Sequence, residues 1–218
     1  MLKLIQDWLQ SRQTAHVFTN WADSYEADVA DNRYSAAAAV RAAILPLIGP
    51  RRRMTDLGIG TGLIWADMDL PEEMEVTGLD LSAAMLEQAS AHPDLGPFYL
   101  CNVGRDAWPV ADNSQDAIVA AGLFEYLTEP MADHAFAQAR AALKPDGLFI
   151  FTYIPAARNE AVIWRGQSGP VRSCRFAQEW IEAQAGFTVM RHDPAFAGSV
   201  FADGSSYDYR LVILRKTA

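Results

Sequence analysis

Three glycines at alternate positions follow a short apolar segment in the sequence DLGIGTG, which occupies residues 56–62. Glycine has no Cβ atom, so a backbone that contains it can turn tightly and approach a ligand closely. The preceding residues, Met54 to Leu57, read as a buried strand, and we expect a helix after the loop. A glycine-rich loop between a strand and a helix is typical of sites that hold a nucleotide-like cofactor.

The charge and spacing around this loop distinguish between two kinds of cofactor. Asp80 ends the next predicted strand, Met74 to Asp80, where a carboxylate can accept hydrogen bonds from both hydroxyls of a ribose. The dinucleotide fingerprint G-x-G-x-x-G would need its third glycine at Leu63. Asp56 would repel a pyrophosphate, whereas this loop region would attract the ammonium group of S-adenosylmethionine. Spacing and charge therefore favour S-adenosylmethionine over a nicotinamide cofactor.

Strands and helices alternate along the rest of the chain. We predict further strands at Pro97 to Asn102, Asp116 to Ala121, Leu148 to Ile154, Phe187 to His192 and Tyr207 to Arg215. We predict helices at Leu2 to about Gln13, Ala36 to Ile48, from Ser82 onward, Met131 to Leu143 and Phe176 to Gln184, with a turn at Lys144 to Gly147. This alternation implies an α/β fold, in which a parallel sheet carries helices on both faces. Ligands of such sheets bind beyond the carboxyl ends of the strands.

Four segments in order resemble the motifs of the class I S-adenosylmethionine-dependent methyltransferases. They are MTDLGIGTGLIWADM, VTGLDLSAAMLEQA, CNVGRDAWPVADNSQDAIVAAGLFEYL and ALKPDGLFIFTYI, which together cover about residues 54–154. WADSYEADV, followed by Tyr34, is similar to the lid-forming start of the small-molecule type, and the tail with AGFTVM resembles its closing antiparallel edge. The resemblance implies a Rossmann-like, doubly wound, mostly parallel seven-stranded sheet with an antiparallel last strand.

The resemblance also implies roles for individual residues toward S-adenosylmethionine and its product S-adenosylhomocysteine. The residues implied around the methionine portion are Asp56, Gly58, Gly60, Thr61, Gly62, Ala121 and Gly122, and further cofactor-binding candidates are Ile59 and, from the lid, Tyr25 and Tyr34. Asp80 would hold the ribose, and Leu81 and Met85 would cover the adenine. Asn102 stands where the family usually has an aspartate that accepts from the adenine amine, and Val103 would offer its backbone amide.

Candidate acceptor-binding residues are Trp21, Glu125, Tyr126 and Tyr153. Each also has a plain structural interpretation: aromatic side chains pack in cores, and a carboxylate near a helix start interacts favourably with the helix dipole. The reaction implied is an in-line displacement at the sulfonium methyl, in which the protein mainly positions the reactants. The sequence identifies no general base and no other catalytic residue.

Composition limits the partners that we expect. Lys and Arg number 18 against 27 Asp and Glu, so the net charge is −9, which disfavours a nucleic-acid partner. We expect Arg51 to Arg53 to be a solvated strand entrance. The two cysteines, Cys101 and Cys174, and the scattered histidines have no metal-ligand spacing, so we expect no metal. We find no secretory signal and no apolar stretch of about 20 residues that would span a membrane, and we expect a cytoplasmic location.

We therefore expect one methyltransferase domain over residues 1–218, with a helical lid at 1–48, a cofactor-binding core at 52–154 and a substrate-facing segment with a closing hairpin at 155–218. The expected acceptor is a small molecule, because the chain is acidic and short. Two alternatives remain open: a methyltransferase that acts on protein or RNA, and a protein that binds S-adenosylmethionine without catalysis.

Overall fold

A computed structural model describes residues 2–50, 52–166, 169–200 and 206–217. The helices are α1 (Leu2–Trp21), α2 (Tyr25–Asp31), α3 (Ala36–Ile44), α4 (Ala83–Ala89), α5 (Glu129–Ala142) and α6 (Gln178–Glu182). The strands are β1 (Arg53–Leu57), β2 (Glu75–Asp80), β3 (Phe98–Leu100), β4 (Gln115–Ala120), β5 (Leu143–Tyr153), β6 (Pro155–Ala156), β7 (Glu160–Gly166), β8 (Gly169–Ala177), β9 (Phe187–His192), β10 (Phe196–Val200) and β11 (Ser206–Lys216). Single 3₁₀ turns occur at Leu45–Leu47 and Phe124–Tyr126.

The central sheet has the strand order β10-β11-β5-β4-β1-β2-β3, and β9 also pairs with β11. The five strands from β3 to β5 in this order are parallel, and β11 runs antiparallel to β5. The mostly parallel α/β fold is therefore confirmed. The expected number of seven strands is wrong, because β11 is 11 residues long and pairs with β10 through its first part and with β9 through its second, which gives eight strands.

Apolar side chains cover both faces of this sheet, as the nearly continuous apolar strands predict. One face carries α5 and an aromatic cluster that includes Phe124, Phe136 and Phe151. The other face packs against α3, whose Val40 and Ile44 are fully buried. Because the sheet is covered on both sides, ligands have access to it at the ends of its strands.

The expected helix after the glycine loop is wrong. Residues 58 to 67 instead form consecutive turns, in which Gly62, Trp65 and Met68 donate backbone hydrogen bonds to residues three positions earlier. Gly58, Gly60 and Gly62 all have positive φ angles, of 65°, 58° and 89°, and a right-handed helix cannot continue through that conformation. The loop therefore keeps its shape without a following helix.

Several predicted boundaries also differ. Helix α1 runs eight residues beyond Gln13, to Trp21, and the segment that follows it contains a second helix, α2. The predicted turn at Lys144 to Gly147 lies inside β5, where a register shift against β4 absorbs it. Phe176 belongs to β8 rather than to a helix, since β6, β7 and β8 form a separate three-stranded sheet. Arg51, the first residue of the expected solvated strand entrance, lies outside the described residues.

Candidate active site

The glycine loop is fixed to the second strand of the sheet by backbone hydrogen bonds. The amides of Gly58 and Ile59 both donate to the carbonyl of Leu79, at 2.7 and 3.1 Å. The amide of Gly60 donates to Oδ2 of Asp80 at 2.8 Å. The end of β1 and the end of β2 are thereby tied together, and the loop and the Asp80 carboxylate border the same space.

Asp80 is only 8% exposed, and backbone amides hold its carboxylate from two sides. Besides Gly60, the amide of Ser82 donates to its Oδ1 at 2.8 Å, and Ser82 in turn caps α4. Burial raises the pKa of this carboxyl, and the backbone hydrogen bonds partly offset that rise. The carboxylate is therefore set in one orientation before any ligand arrives.

A cavity of about 80 Å³ lies beyond the ends of β1, β2 and β4. Most of the predicted cofactor residues line it: Tyr25, Gly58, Gly60, Asp80, Leu81, Met85, Asn102, Val103, Ala121 and Gly122. Its wall also includes Tyr126, which was predicted for the acceptor side, and residues that the sequence did not indicate: Ser11, Thr14, Phe18, Cys101, Leu123, Leu127 and Met131. Residues from the middle and last turns of α1 thus form part of the wall of this cavity. We call this space the cofactor cavity.

The remaining predicted cofactor residues lie outside the wall of the cofactor cavity. Asp56 is completely buried, and Nε1 of Trp65 donates to its Oδ2 at 2.7 Å. Burial raises the pKa of Asp56 to about 8, although the Trp65 hydrogen bond lowers it. The side chain of Ile59 packs at Gly78, while Gly62 faces His92. Thr61 is buried, and Tyr34 belongs to the neighbouring cavity. None of these five residues lines the cofactor cavity.

Asn102 takes part in a local hydrogen-bond network as well as in the cavity wall. Its amide nitrogen donates to the Ser11 hydroxyl at 2.9 Å, and its amide oxygen accepts from the amide of Gly104 at 3.2 Å. Asn102 thereby connects the strand end to α1. Its predicted contact with the adenine amine would share the oxygen that Gly104 already uses.

A second cavity, of about 280 Å³, adjoins the first, and we call it the acceptor cavity. Its described lining residues are Phe18, Trp21, Tyr25, Val29, Asn32, Tyr34, Gly122, Glu125, Tyr126, Ile154, Val162, Ile163, Ser173, Arg175, Ser199, Tyr207 and Tyr209. Phe18, Tyr25, Gly122 and Tyr126 line both cavities. The two spaces therefore share one wall.

Gly122 lies at this shared wall in a conformation that favours glycine. Its φ angle is 63°, and a Cβ atom there would lie 2.1 Å from the Tyr34 hydroxyl. The amide of Gly122 donates to the Thr152 hydroxyl at 2.9 Å, which fixes the turn after β4. Only a residue without a side chain allows Tyr34 to lie against this turn.

Three of the four predicted acceptor residues, Trp21, Glu125 and Tyr126, line the acceptor cavity. The fourth, Tyr153, does not: its ring is fully buried, and its hydroxyl is 2.9 Å from Nε2 of His192. Strand β5 ends with Tyr153 facing the aromatic cluster of the sheet rather than the cavity. Its neighbour Ile154 lines the cavity instead.

Glu125 is the buried carboxylate of the acceptor cavity. It is 4% exposed, and the Tyr209 hydroxyl donates to its Oε1. Its Oε2 is buried and has no hydrogen-bond partner in the part of the protein that the structure describes. Burial raises the pKa of Glu125 to about 7, and the Tyr209 hydrogen bond lowers it. This carboxylate can therefore take up or release a proton near neutral pH.

Most of the acceptor-side residues that the sequence analysis missed come from the last third of the chain. Tyr207 and Tyr209 are two residues apart on β11, which places both on one face of the strand. That spacing is visible in the sequence, but the face toward the cavity is set by pairing of β11 with β5 and β10. Ser173 and Arg175, on β8, lie in a segment without a readable motif.

In the part of the chain that the structure describes, no helix combines the length and the apolar character that a membrane span requires. The same part of the chain contains no group of three or more His, Cys, Asp or Glu side chains that could hold a metal ion.

A family described as a methyltransferase domain matches residues 54–147. The human Methyltransferase-like protein 27 is 34% identical over 113 residues, which cover 50% of this chain and 46% of that protein. The match thus spans about half the length of this curated relative.

Solved structures of low sequence identity share the fold. A methyltransferase in complex with the Haloferax volcanii Trm112 methyltransferase activator has a TM-score of 0.71 at 19% identity, covering 94% of this chain and 97% of its own. The Burkholderia thailandensis 1,6-didemethyltoxoflavin-N1-methyltransferase, solved with 1,6-didemethyltoxoflavin and S-adenosylhomocysteine, has a TM-score of 0.63 at 16% identity, covering 94% and 89%. Residues 54–147 therefore match the methyltransferase-domain family, and the chain shares the fold of these solved structures.

Proposed function

We propose that the protein transfers a methyl group from S-adenosylmethionine to a small-molecule acceptor. The observation that carries the proposal is the pair of adjoining cavities. The glycine loop and Asp80 line one, an aromatic wall with Glu125 lines the other, and Phe18, Tyr25, Gly122 and Tyr126 line both. An acceptor in the second cavity would lie directly beside a methyl donor in the first.

The residues of the cofactor cavity fit S-adenosylmethionine by their charge. Among the described residues that line it, none is Lys, Arg or His, and Asp80 contributes a carboxylate. Such a wall disfavours the phosphates of a dinucleotide and tolerates a cofactor that is cationic at sulfur and nitrogen. When bound, S-adenosylmethionine supplies an electrophilic methyl group on a positively charged sulfur.

The roles that we propose for the cofactor residues follow from their positions. Asp80 would accept the two ribose hydroxyl protons, since its carboxylate is already oriented by Gly60 and Ser82. Leu81 and Met85 would pack against the adenine, and the backbone of Gly58 and Gly60 would follow the methionine portion. Asp56, buried behind the loop on Trp65, would set the loop conformation rather than touch the ligand.

The aromatic wall would do the positioning on the acceptor side. Tyr25 and Trp21 pack edge to face with ring centroids 5.0 Å apart, and Phe18 and Tyr126 do the same at 5.0 Å. Rings that are packed in this way lose little freedom when an acceptor binds. They also exclude water, which shortens the approach of acceptor to donor and protects the transfer from competing solvent.

The acceptor cavity favours a small molecule over a protein or an RNA. Residues of α1, α2, β7 and β8 all line it, and its volume of about 280 Å³ suits a small ligand. The net charge of −9 also opposes binding of RNA. We further propose that residues 1–48 act as the lid of a single domain. The cytoplasmic location stays a prediction from the sequence.

A transfer assay tests the proposal. The protein is incubated with S-adenosylmethionine that carries an isotopic label on its methyl group, together with the small-molecule, protein or RNA fraction of a cell lysate. We expect label in the small-molecule fraction, and much less transfer by the Asp80→Ala variant when the S-adenosylmethionine concentration is close to the Kd of the wild type. Label confined to protein or RNA would contradict the small-molecule acceptor. Binding of the cofactor without transfer to any fraction would support the non-catalytic alternative.

A further inference from the structure

Glu125 has a free carboxylate oxygen inside an otherwise largely neutral, aromatic cavity. Its Oε1 accepts from Tyr209, while its buried Oε2 has no described partner. A buried acceptor atom without a hydrogen bond destabilises the protein, and it does so more strongly when it is charged. The turn Phe124–Tyr126 that carries Glu125 begins two residues after Gly122, at the wall shared with the cofactor cavity. Glu125 thus brings an unpartnered, buried carboxylate oxygen to the wall of the acceptor cavity, close to the wall that both cavities share.

The side chains around Glu125 suit a positive charge. Five tyrosines line the cavity with it: Tyr25, Tyr34, Tyr126, Tyr207 and Tyr209. Burial raises the pKa of each of these hydroxyls above its usual range, so all five stay neutral at physiological pH. Aromatic faces attract a cation within about 6 Å of the ring centre, most strongly when the cation is desolvated. A carboxylate enclosed by neutral rings is therefore a site for an ammonium ion.

We propose that the acceptor is a small amine, which binds as its ammonium ion beside Oε2 of Glu125 and is methylated on nitrogen. This inference rests on the proposed methyl transfer and adds the class of the acceptor to it. It also makes Glu125 the group that receives the acceptor's proton.

The proton and the methyl group move in two balanced steps. The ammonium group gives one proton to the Glu125 carboxylate, which leaves a neutral nitrogen with a free electron pair. That nitrogen forms a bond to the methyl carbon while the carbon–sulfur bond breaks, and the electron pair of the broken bond stays on sulfur. Transfer from ammonium to Glu125 is feasible because burial raises the pKa of Glu125 to about 7, and the same apolar surroundings lower the pKa of the amine.

Size and charge limit the acceptor further. A volume of about 280 Å³ is at the small end of ligand pockets, which begin at about 300 Å³, and suits one ring with a short chain. Arg175 is the cation among the described lining residues, and its Nη1 is 3.9 Å from Oε1 of Glu160. That carboxylate offsets the charge of Arg175 at the outer part of β8. An anionic acceptor would have to approach Glu125 against its charge.

A binding experiment with matched probes tests the inference separately from catalysis. Benzylamine, benzyl alcohol and benzoate are titrated by calorimetry into the full chain saturated with S-adenosylhomocysteine. The variants are Glu125→Gln, which keeps an oxygen for Tyr209 and a similar volume, and Glu26→Gln, which removes the same charge at an exposed position of α2. A charge-assisted hydrogen bond is worth about 1.5–3 kcal/mol, so Glu125→Gln should weaken benzylamine about 10- to 100-fold.

The other probes should respond differently. Benzyl alcohol should bind the wild type and Glu125→Gln equally, and Glu26→Gln should bind all three probes as the wild type does. Thermal unfolding checks that Glu125→Gln folds, and mass spectrometry detects N-methylbenzylamine when S-adenosylmethionine replaces S-adenosylhomocysteine. Three results would overturn the amine assignment. They are tighter binding of benzoate than of benzylamine by the wild type, equal binding of benzylamine by the wild type and Glu125→Gln, and no binding of benzylamine at all.

The pH dependence of benzylamine binding gives an independent readout. Affinity should fall below about pH 7, where Glu125 becomes protonated. The groups that face Glu125 are the hydroxyls of Tyr25, Tyr34, Tyr126, Tyr207 and Tyr209, the thiol of Cys174 and the guanidinium of Arg175. Tyr209→Phe removes the hydrogen bond that lowers the pKa of Glu125, so the midpoint should move to higher pH. A midpoint that Tyr209→Phe leaves in place would contradict a role for Glu125.

The outcomes separate the two proposals. Methylation of an alcohol probe but not of benzylamine would refute the amine acceptor and keep the methyltransferase. Selective binding of benzylamine by a protein that does not bind S-adenosylhomocysteine would refute the proposed function and keep the amine site.

Discussion

Replacement of Asp80 by alanine is the substitution that probes the cofactor site most sharply. In the free protein the carboxylate accepts from the amides of Gly60 and Ser82, each at 2.8 Å. A ribose would add two more charge-assisted hydrogen bonds, each worth about 1.5–3 kcal/mol. Loss of both, with some compensation by water, should cost about 3 kcal/mol of binding free energy, or about 100-fold in Kd.

The assay is calorimetric titration of S-adenosylhomocysteine into the wild type, Asp80→Ala and the control Glu87→Ala. Glu87 is an exposed acidic residue of α4, so its replacement removes the same charge nearby without touching the cavity. Glu87→Ala should bind as the wild type does. Affinity for S-adenosylhomocysteine that Asp80→Ala leaves unchanged would refute the ribose assignment.

Asp80 also accepts a hydrogen bond from the glycine loop, so its replacement could weaken binding by disturbing the loop as well as by removing the ribose contact. Adenosine and 2′,3′-dideoxyadenosine distinguish these two effects. The wild type should bind adenosine more tightly than 2′,3′-dideoxyadenosine, because only adenosine has the two hydroxyls. In Asp80→Ala that preference should disappear, since the group that reads the hydroxyls is gone. A preference that persists in Asp80→Ala would mean that Asp80 acts through the loop alone.

Two further substitutions test other parts of the site. Asp56→Asn should remove a pH dependence of folding. Burial raises the pKa of Asp56 to about 8, so its protonated form contributes stability that is fully present below about pH 4 and is lost as the pH rises through about 8. The free energies of unfolding of the ligand-free wild type and variant, measured with urea, should therefore diverge over that pH range. Parallel profiles would contradict the raised pKa of Asp56. Gly122→Ala should lose about 1–2 kcal/mol of stability from its positive φ and displace Tyr34, which should impair methyl transfer. Gly49→Ala, where a Cβ meets nothing within 4 Å, is its control, and equal behaviour of the two would refute the steric argument.

The cofactor side of the site was largely predictable because its signals are local. The glycines at 58, 60 and 62 adopt positive φ angles. Asp80 is the last residue of β2, and the apolar residues of β2 were enough to predict that strand. Parallel strands bring their carboxyl ends to one edge, so the sequence order was enough to bring Asp80, Asn102 and Gly122 together. The turns that replace the expected helix after the loop were not predictable in this way, because they come with a tertiary contact, the hydrogen bond of Trp65 to Asp56.

The acceptor side was less predictable because it depends on contacts between distant parts of the chain. Tyr34 and Tyr209 are 175 positions apart, yet their rings meet edge to face with centroids 6.2 Å apart. Tyr153 was expected there because it follows an apolar run, but alternation along β5 turns it toward the aromatic cluster and His192. Tertiary packing determines which face of a strand borders a cavity, and this orientation cannot be predicted from a single sequence.

The central claim is that the glycine loop and Asp80 hold S-adenosylmethionine. Calorimetric titration of the wild type with S-adenosylhomocysteine and, separately, with NAD tests this claim most directly. We expect S-adenosylhomocysteine to bind at one site per chain, and NAD to show no heat of binding at the same concentration. Tight binding of NAD with no response to S-adenosylhomocysteine would contradict the account.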